Sequence, residues 1–269
     1  MKPLFTMWLQ PRLIAWFALT VVLGVLVRLP FAHFQIIPHY LDFHPGVILA
    51  PLAGVFFGPA GAWGLLVASL IGDRLMGPWG AISIFRALGF FFFALSTQKM
   101  WHFSFWFEVG HLKPERSWTH TARFILVSWP GCALAASWQG LGSELLRLYP
   151  FAYVASLLVL NNIMFCTLLG LPLYRLMAGL WVPRFGTWDE ALGMDAGPGS
   201  PSLRNAIFIA AGAVTALLTG FYISELVYHV SPLQPFTLGA HTGILVPLVV
   251  IPMLIVNAAG LFLEVGRVR

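Results

Sequence analysis

The run HPGVILAPLAGVFFGPAGAWGLLVASLIGDRLMGPWGAISIFRALGFFFFALSTQKMW, residues 44–101, decides how this chain folds. It is apolar enough to lie in a bilayer, yet two near-identical Gly-Pro-x-Gly-Ala turns interrupt it, at 58–62 and 77–81. It also places Asp73, Arg74 and Arg86 where a lipid-facing helix would carry leucine. Ionisable residues are rare inside membrane spans and mark functional sites there, and broken helices line binding sites in transporters.

The rest of the chain agrees with a membrane setting. It is 59% hydrophobic and only 9% charged, with a mean hydropathy of +0.83, against about 25% charged residues in a soluble chain. Apolar runs recur from residue 13 to 263 and leave no soluble stretch long enough for a domain. The expected fold is therefore an all-α, polytopic helix bundle with no separate catalytic head. The net charge of +5 reads as loop lysines and arginines that orient the protein, so no nucleic-acid partner is expected. Cys132 and Cys166 each sit inside an apolar run and suggest neither a disulfide framework nor a metal site. Residues 2–29 have the basic flank and apolar core of a signal peptide but no small-x-small cleavage site, so a retained first helix is expected.

A spanning helix needs about 20 apolar residues. Candidates are 13–30, 80–101, 121–146, 151–178, 203–228 and 242–265. The stretch 45–76 reads either as one long helix or as two short ones broken at Gly58-Pro59. Charge decides between them. With two crossings the chain has eight, and both termini share a side with Lys2, Arg12, Lys99, Lys113, Arg116, Arg123, Arg175, Arg184, Arg204, Arg267 and Arg269. The other side keeps Arg28, Arg74 and Arg147, with Arg86 inside a helix. That asymmetry obeys the positive-inside rule, and a single crossing would turn the basic 99–123 loop outward. Pro59 fits a helix start, where a missing N–H is harmless. The resulting division is a six-helix front part, 1–180, a cytoplasmic linker, 181–204, and two C-terminal helices, 205–269. Small residues four apart, at Gly54/Gly58, Ala60/Gly64 and Gly212/Ala216/Gly220, predict close helix packing.

In this topology polar groups collect in the outer half. Asp73 and Arg74 end the third helix, and Arg86 lies about 9 Å into the fourth. Trp138, Gln139 and Glu144 occupy the outer end of the fifth, Asn161 and Asn162 lie near the midplane of the sixth, and Glu225 is near the outer end of the seventh. His33, His39, Asp42 and His44 decorate the first outer loop. A buried guanidinium needs a partner, and Asp73 or Glu225 could pair with Arg86. Arg74 reads equally as an interfacial helix-end residue, and Trp138 equally as an interfacial belt residue or a stacking surface. Adjacent asparagines point about 100° apart on a helix, so that one can face a cavity while the other packs. His102, His111 and His120 read as solvated loop residues.

Enzyme signatures are missing: there is no HExxH, GxSxG or P-loop, and GLGSEL at 140–145 is an incomplete GxGxxG. No cofactor is expected.

The run PLAGVFFGPAGAWGLLVASLIGDRLMG resembles the second and third helices of substrate-binding (S) components of energy-coupling factor vitamin importers, an apolar helix, a Gly-Pro turn and a small-residue helix ending in Gly-Asp. The chain is similar to an uncharacterised S-component-like branch in its GPAGAWG block at 58–64 with Gly72-Asp73, its PFA at 150–152 with Asn161-Asn162, and its Trp188-Asp189. The resemblance covers about 44–190. It implies six helices with cytoplasmic termini in a prokaryotic inner membrane and an outward pocket closed by the loop after the first helix. It also implies a vitamin-like small molecule as substrate and, as partners, a transmembrane coupling subunit and two ATPases. Two departures stand out: S components commonly carry Ala-xxx-Ala on the first helix, whereas Ala15 and Ala18 are three apart here, and the last two helices are additional to that plan. The expected pocket residues are Asp73, Arg74, Arg86, Trp138, Gln139, Asn161, Asn162 and Glu225. A membrane sensor or scaffold, or an intramembrane enzyme, are the alternative readings.

Overall fold

The computed structural model describes residues 2–31, 35–37, 41–42, 45–76, 79–101, 114–193, 203–229 and 243–263. His33, His39, His44, His102, His111, the turn residues Gly77 and Pro78, and the side chain of Asp42 lie outside what is described. The chain forms a helix bundle in the order α1 (Lys2–Thr6), α2 (Pro11–Arg28), α3 (Leu49–Phe57), α4 (Pro59–Met76), α5 (Ala81–Trp101), α6 (Trp118–Leu145), α7 (Phe151–Leu168), α8 (Gly170–Leu180), α9 (Val182–Phe185), α10 (Trp188–Ala191), α11 (Leu203–Tyr228) and α12 (Leu245–Leu263). Between α2 and α3 the strands β1 (Gln35–Ile37) and β2 (Leu41–Asp42) pair antiparallel. Among the described residues five helices are long and apolar enough to cross a membrane, those at Pro11–Phe31, Ala81–Trp101, Phe151–Leu168, Ala206–Tyr228 and Leu245–Phe262.

The break between the second and third long segments is real. α3 ends at Phe57 and α4 starts on Pro59 at the first helical position. Gly58 between them has φ +56°, and a Cβ there would stand 2.4 Å from the Trp188 ring, so only glycine fits the turn. Together with its preceding 3-10 turn Pro45–Ile48, α3 is buried at every position but Leu49. It is about 20 Å long, shorter than a bilayer core of about 30 Å. Burial within protein satisfies the rule that irregular backbone must not meet lipid.

The seam between α2 and α4 fixes their relative direction. A Cβ on Gly64 would come within 2.6 Å of Thr20, one on Gly24 within 2.6 Å of Ala68, and one on Gly72 within 2.7 Å of the Arg28 guanidinium. Thr20, Gly24 and Arg28 thus face Gly64, Ala68 and Gly72 in the same order, so the two helices run parallel and α3 must return between them. The spacing of four on both helices is the small-residue packing that lets backbones approach closely. The remaining small residues also pack inside the chain: Gly54 on the Ala94 carbonyl, Gly212 on Asn257 and Gly220 on Phe151.

The start of the first described helix and the end of α12 lie at one end of the bundle, because Pro3, Leu4, Leu261 and Phe262 line the same cavity of about 20 Å3 with Pro59, Leu95, Gln98 and Lys99. Such a space holds about one water molecule.

Three expectations are corrected. The helix expected over 151–178 is divided at Leu169, because the ring of Pro172 clashes with the carbonyl of Leu168 and offers it no N–H. The front of the expected linker 181–204 is folded: α9 and α10 pack on the bundle, Trp188 is 4% exposed, and a Thr187/Glu190 capping box starts α10. His120 is not a solvated loop residue. It lies in the first turn of α6, is buried, and its Nδ1 accepts from the Glu115 N–H beside the Trp101 ring.

Candidate functional site

At the end of the bundle opposite the chain termini, three ionisable side chains from three helices converge. Arg28 closes α2, Asp73 lies in the last turn of α4, and Arg86 is in the second turn of α5. Asp73 Oδ1 accepts from Arg28 Nη2 at 2.7 Å and from Arg86 Nη1 at 2.6 Å. Arg28 Nη1 also donates to the Ser69 carbonyl at 3.2 Å. The three side chains are 5%, 0% and 7% exposed, so the cluster is enclosed by protein. Ser83, three residues before Arg86, is fully buried as well, and its Oγ accepts from the Gly80 N–H.

The local sequence explains why the cluster forms. Gly72 has no side chain, and the space a Cβ would occupy is filled by the Arg28 guanidinium. The neighbouring Asp73 then meets that guanidinium directly. Arg86 completes the group from the start of α5, which follows α4 in the chain after only four residues, 77–80. Carboxylate–guanidinium bonds of this length are charge-assisted and strong, and in an enclosed site the desolvation of all three groups offsets much of that strength.

The other expected residues divide. Arg74 points away from the cluster and is exposed, and Glu225 is exposed on α11, so Asp73 and not Glu225 pairs with Arg86. Trp138 is half-buried and stacks on Phe92, with ring centres 5.0 Å apart and planes 11° apart. Gln139 is buried against Gly89 of α5. Asn161 and Asn162 are both buried, so neither is held out to an open cavity. They share one long hydrogen bond of 3.5 Å, and Asn161 Oδ1 and Asn162 Nδ2 have no partner among the described residues. Among the described residues no hydrogen bond joins Gln139, Asn161 or Asn162 to the ion cluster.

Glu144 has a structural position. It is 2% exposed, and its Oε2 accepts from the Phe151 N–H that opens α7 while its Oε1 accepts from the Gly243 N–H that precedes α12. One carboxylate therefore ties the C-terminal helix pair to the front of the bundle and meets the positive end of α7.

Sequence reasoning missed Arg28 as a site residue and counted it only as an orienting charge. The signal available was spacing. Thr20, Gly24 and Arg28 repeat every four residues, as do Gly64, Ala68 and Gly72. Two matching periods predict a shared seam that ends with Arg28 beside Gly72-Asp73. Comparison of the chain with protein-family models, curated proteins and solved structures returned no match.

Proposed function

We propose that this chain is the substrate-binding membrane subunit of an importer for a small, vitamin-like organic compound. In this reading it crosses a prokaryotic cytoplasmic (inner) membrane eight times with both termini in the cytoplasm. The observation that carries the reading is the Arg28–Asp73–Arg86 cluster, assembled from three helices at the end away from the termini. Charge asymmetry directs that end outward. Ionisable groups held inside a membrane bundle are characteristic of substrate pathways. In this reading the hairpin β1–β2, which lies in the chain between α2 and the buried turn Pro45–Ile48, covers the site. The chain carries no nucleotide-binding motif, so transport draws on partner ATPases through a coupling subunit.

The test is ligand release. Protein purified in mild detergent is denatured, and the released small molecules are compared by mass spectrometry with those from membranes lacking it. One compound is expected to be enriched, lost in Arg86→Gln, and no longer taken up by cells without the gene. Folded protein that releases nothing refutes the reading.

A second reading, a membrane sensor or scaffold, draws support from how tightly the cluster closes, since all three side chains are less than a tenth exposed. Affinity purification separates the two: a coupling subunit with ATPases supports import, a signalling protein supports the sensor.

A further inference from the structure

Asp73 presents two carboxylate oxygens, and its ion pairs to Arg28 and Arg86 use one. Oδ1 accepts from both arginines, while Oδ2 is buried and has no hydrogen-bond partner among the described residues. One turn earlier on α4, Ser69 is 3% exposed and its Oγ is likewise without a partner among the described residues. Residues four apart share a helix face, with Cβ atoms about 5–6 Å apart. The backbone of the same turn is held against Arg28 through the Ser69 carbonyl. A buried carboxylate oxygen left unmatched forfeits its hydration with nothing in return, so native proteins tolerate few of them. Two on one face of one turn, beside the ion cluster, mark a place built to receive something.

The chemistry of the two atoms limits what that is. An anion would set its oxygen against a carboxylate oxygen in an enclosed site, where like charges repel strongly. A cation would satisfy Oδ2, but it would stand close to two guanidinium groups that already share the same carboxylate. A neutral O–H or N–H donor incurs neither repulsion, and the Ser69 hydroxyl can then donate to or accept from the same group. We propose that Asp73 Oδ2 and Ser69 Oγ form a subsite for a neutral hydrogen-bond donor of the substrate, a hydroxyl, carboxamide or ring N–H. The two arginines fix Asp73 in position, and Asp73 does the reading. This assignment rests on the outward-pocket reading above.

The experiment uses the full chain with Cys132→Ala and Cys166→Ala, carrying Ser69→Cys, in sealed right-side-out vesicles. The probes are methyl methanethiosulfonate, which is neutral, and its trimethylammonium-ethyl and sulfonatoethyl relatives, which carry positive and negative charge. Rates are referred to those of a free thiol, and Arg147→Cys on the same background serves as an exposed control on which all three probes react alike. The expected result is modification of Ser69→Cys by the neutral probe, with each charged probe slower by about tenfold or more. Fastest reaction with the anionic probe overturns the donor assignment and leaves the outward pocket standing. Reaction with none of the three, in protein whose control cysteine reacts, overturns both.

Discussion

Gly72 and Asp73 work as a pair, one by making room and the other by filling it with charge. The guanidinium of Arg28 lies where a Cβ of residue 72 would be, 2.7 Å away. Gly72→Ala is therefore expected to push Arg28 off Asp73 and to destabilise the bundle by about 1–3 kcal/mol, the range for overpacking a filled interior. A lowered unfolding temperature in detergent checks this, and an unchanged one would show that Arg28 does not depend on the gap. Asp73→Asn goes further, because it leaves two buried guanidiniums without their shared carboxylate. Breaking a buried pair in this way costs about 3–5 kcal/mol. Asp73→Asn with Arg86→Met should recover part of that loss, since one uncompensated cation is removed, and the same thermal measurement reports it. Asp73 and Arg86 were legible in the sequence because ions stand out in an apolar run. Arg28 was not, because it precedes Leu29-Pro30 at a helix end, where a charge ordinarily does no more than meet the interface.

At the scale of elements, the turns carry the argument. The break at Gly58-Pro59 was legible from two residues, a proline suited to a helix start and a glycine before it. What the sequence did not reveal is that Trp188, about 130 positions further on, sits on that glycine. The linker expected over 181–204 hid two short helices whose stability comes from docking and not from propensity. The division at Leu169 was equally hidden, since apolar residues continue across it and only Pro172 marks the place. Glu144 provides the test at this scale. Its two oxygens hold the backbone N–H groups of Phe151 and Gly243, 2.5 and 2.6 Å away. Glu144→Ala orphans both, with an expected loss of about 1–3 kcal/mol for each buried donor. Because Gly243 precedes α12, the loss should fall on the C-terminal pair first. Limited proteolysis is expected to cut the variant near residue 243 faster than the parent, and equal cutting would show that α11 and α12 hold on by apolar packing alone.

For the whole molecule, direction is the property from which the others follow. α2 and α4 run parallel along the Thr20–Gly64, Gly24–Ala68 and Arg28–Gly72 contacts, which requires α3 to traverse the bundle in the opposite sense. α5 and α6 then meet antiparallel, with Phe85 at Gly142 and Phe93 at Gly131. α11 and α12 do the same, with Tyr228 bonded to the Leu245 N–H and Phe208 against Gly260. This alternation returns the C-terminal helix to the N-terminal end, where both line one cavity. It also separates Arg147, exposed between α6 and α7, from Arg184, exposed on α9. If α3 counts as a crossing and charge sets the orientation, Arg147→Cys in a cysteine-free background should react with an impermeant maleimide applied outside intact cells. Arg184→Cys should react only after the membrane is opened. The reverse pattern would mean that the whole bundle is inserted the other way round, placing Arg184 outside and Arg147 within. It would also turn the Arg28–Asp73–Arg86 cluster away from any substrate arriving from outside, so this one labelling experiment decides whether the import reading is geometrically open to the protein.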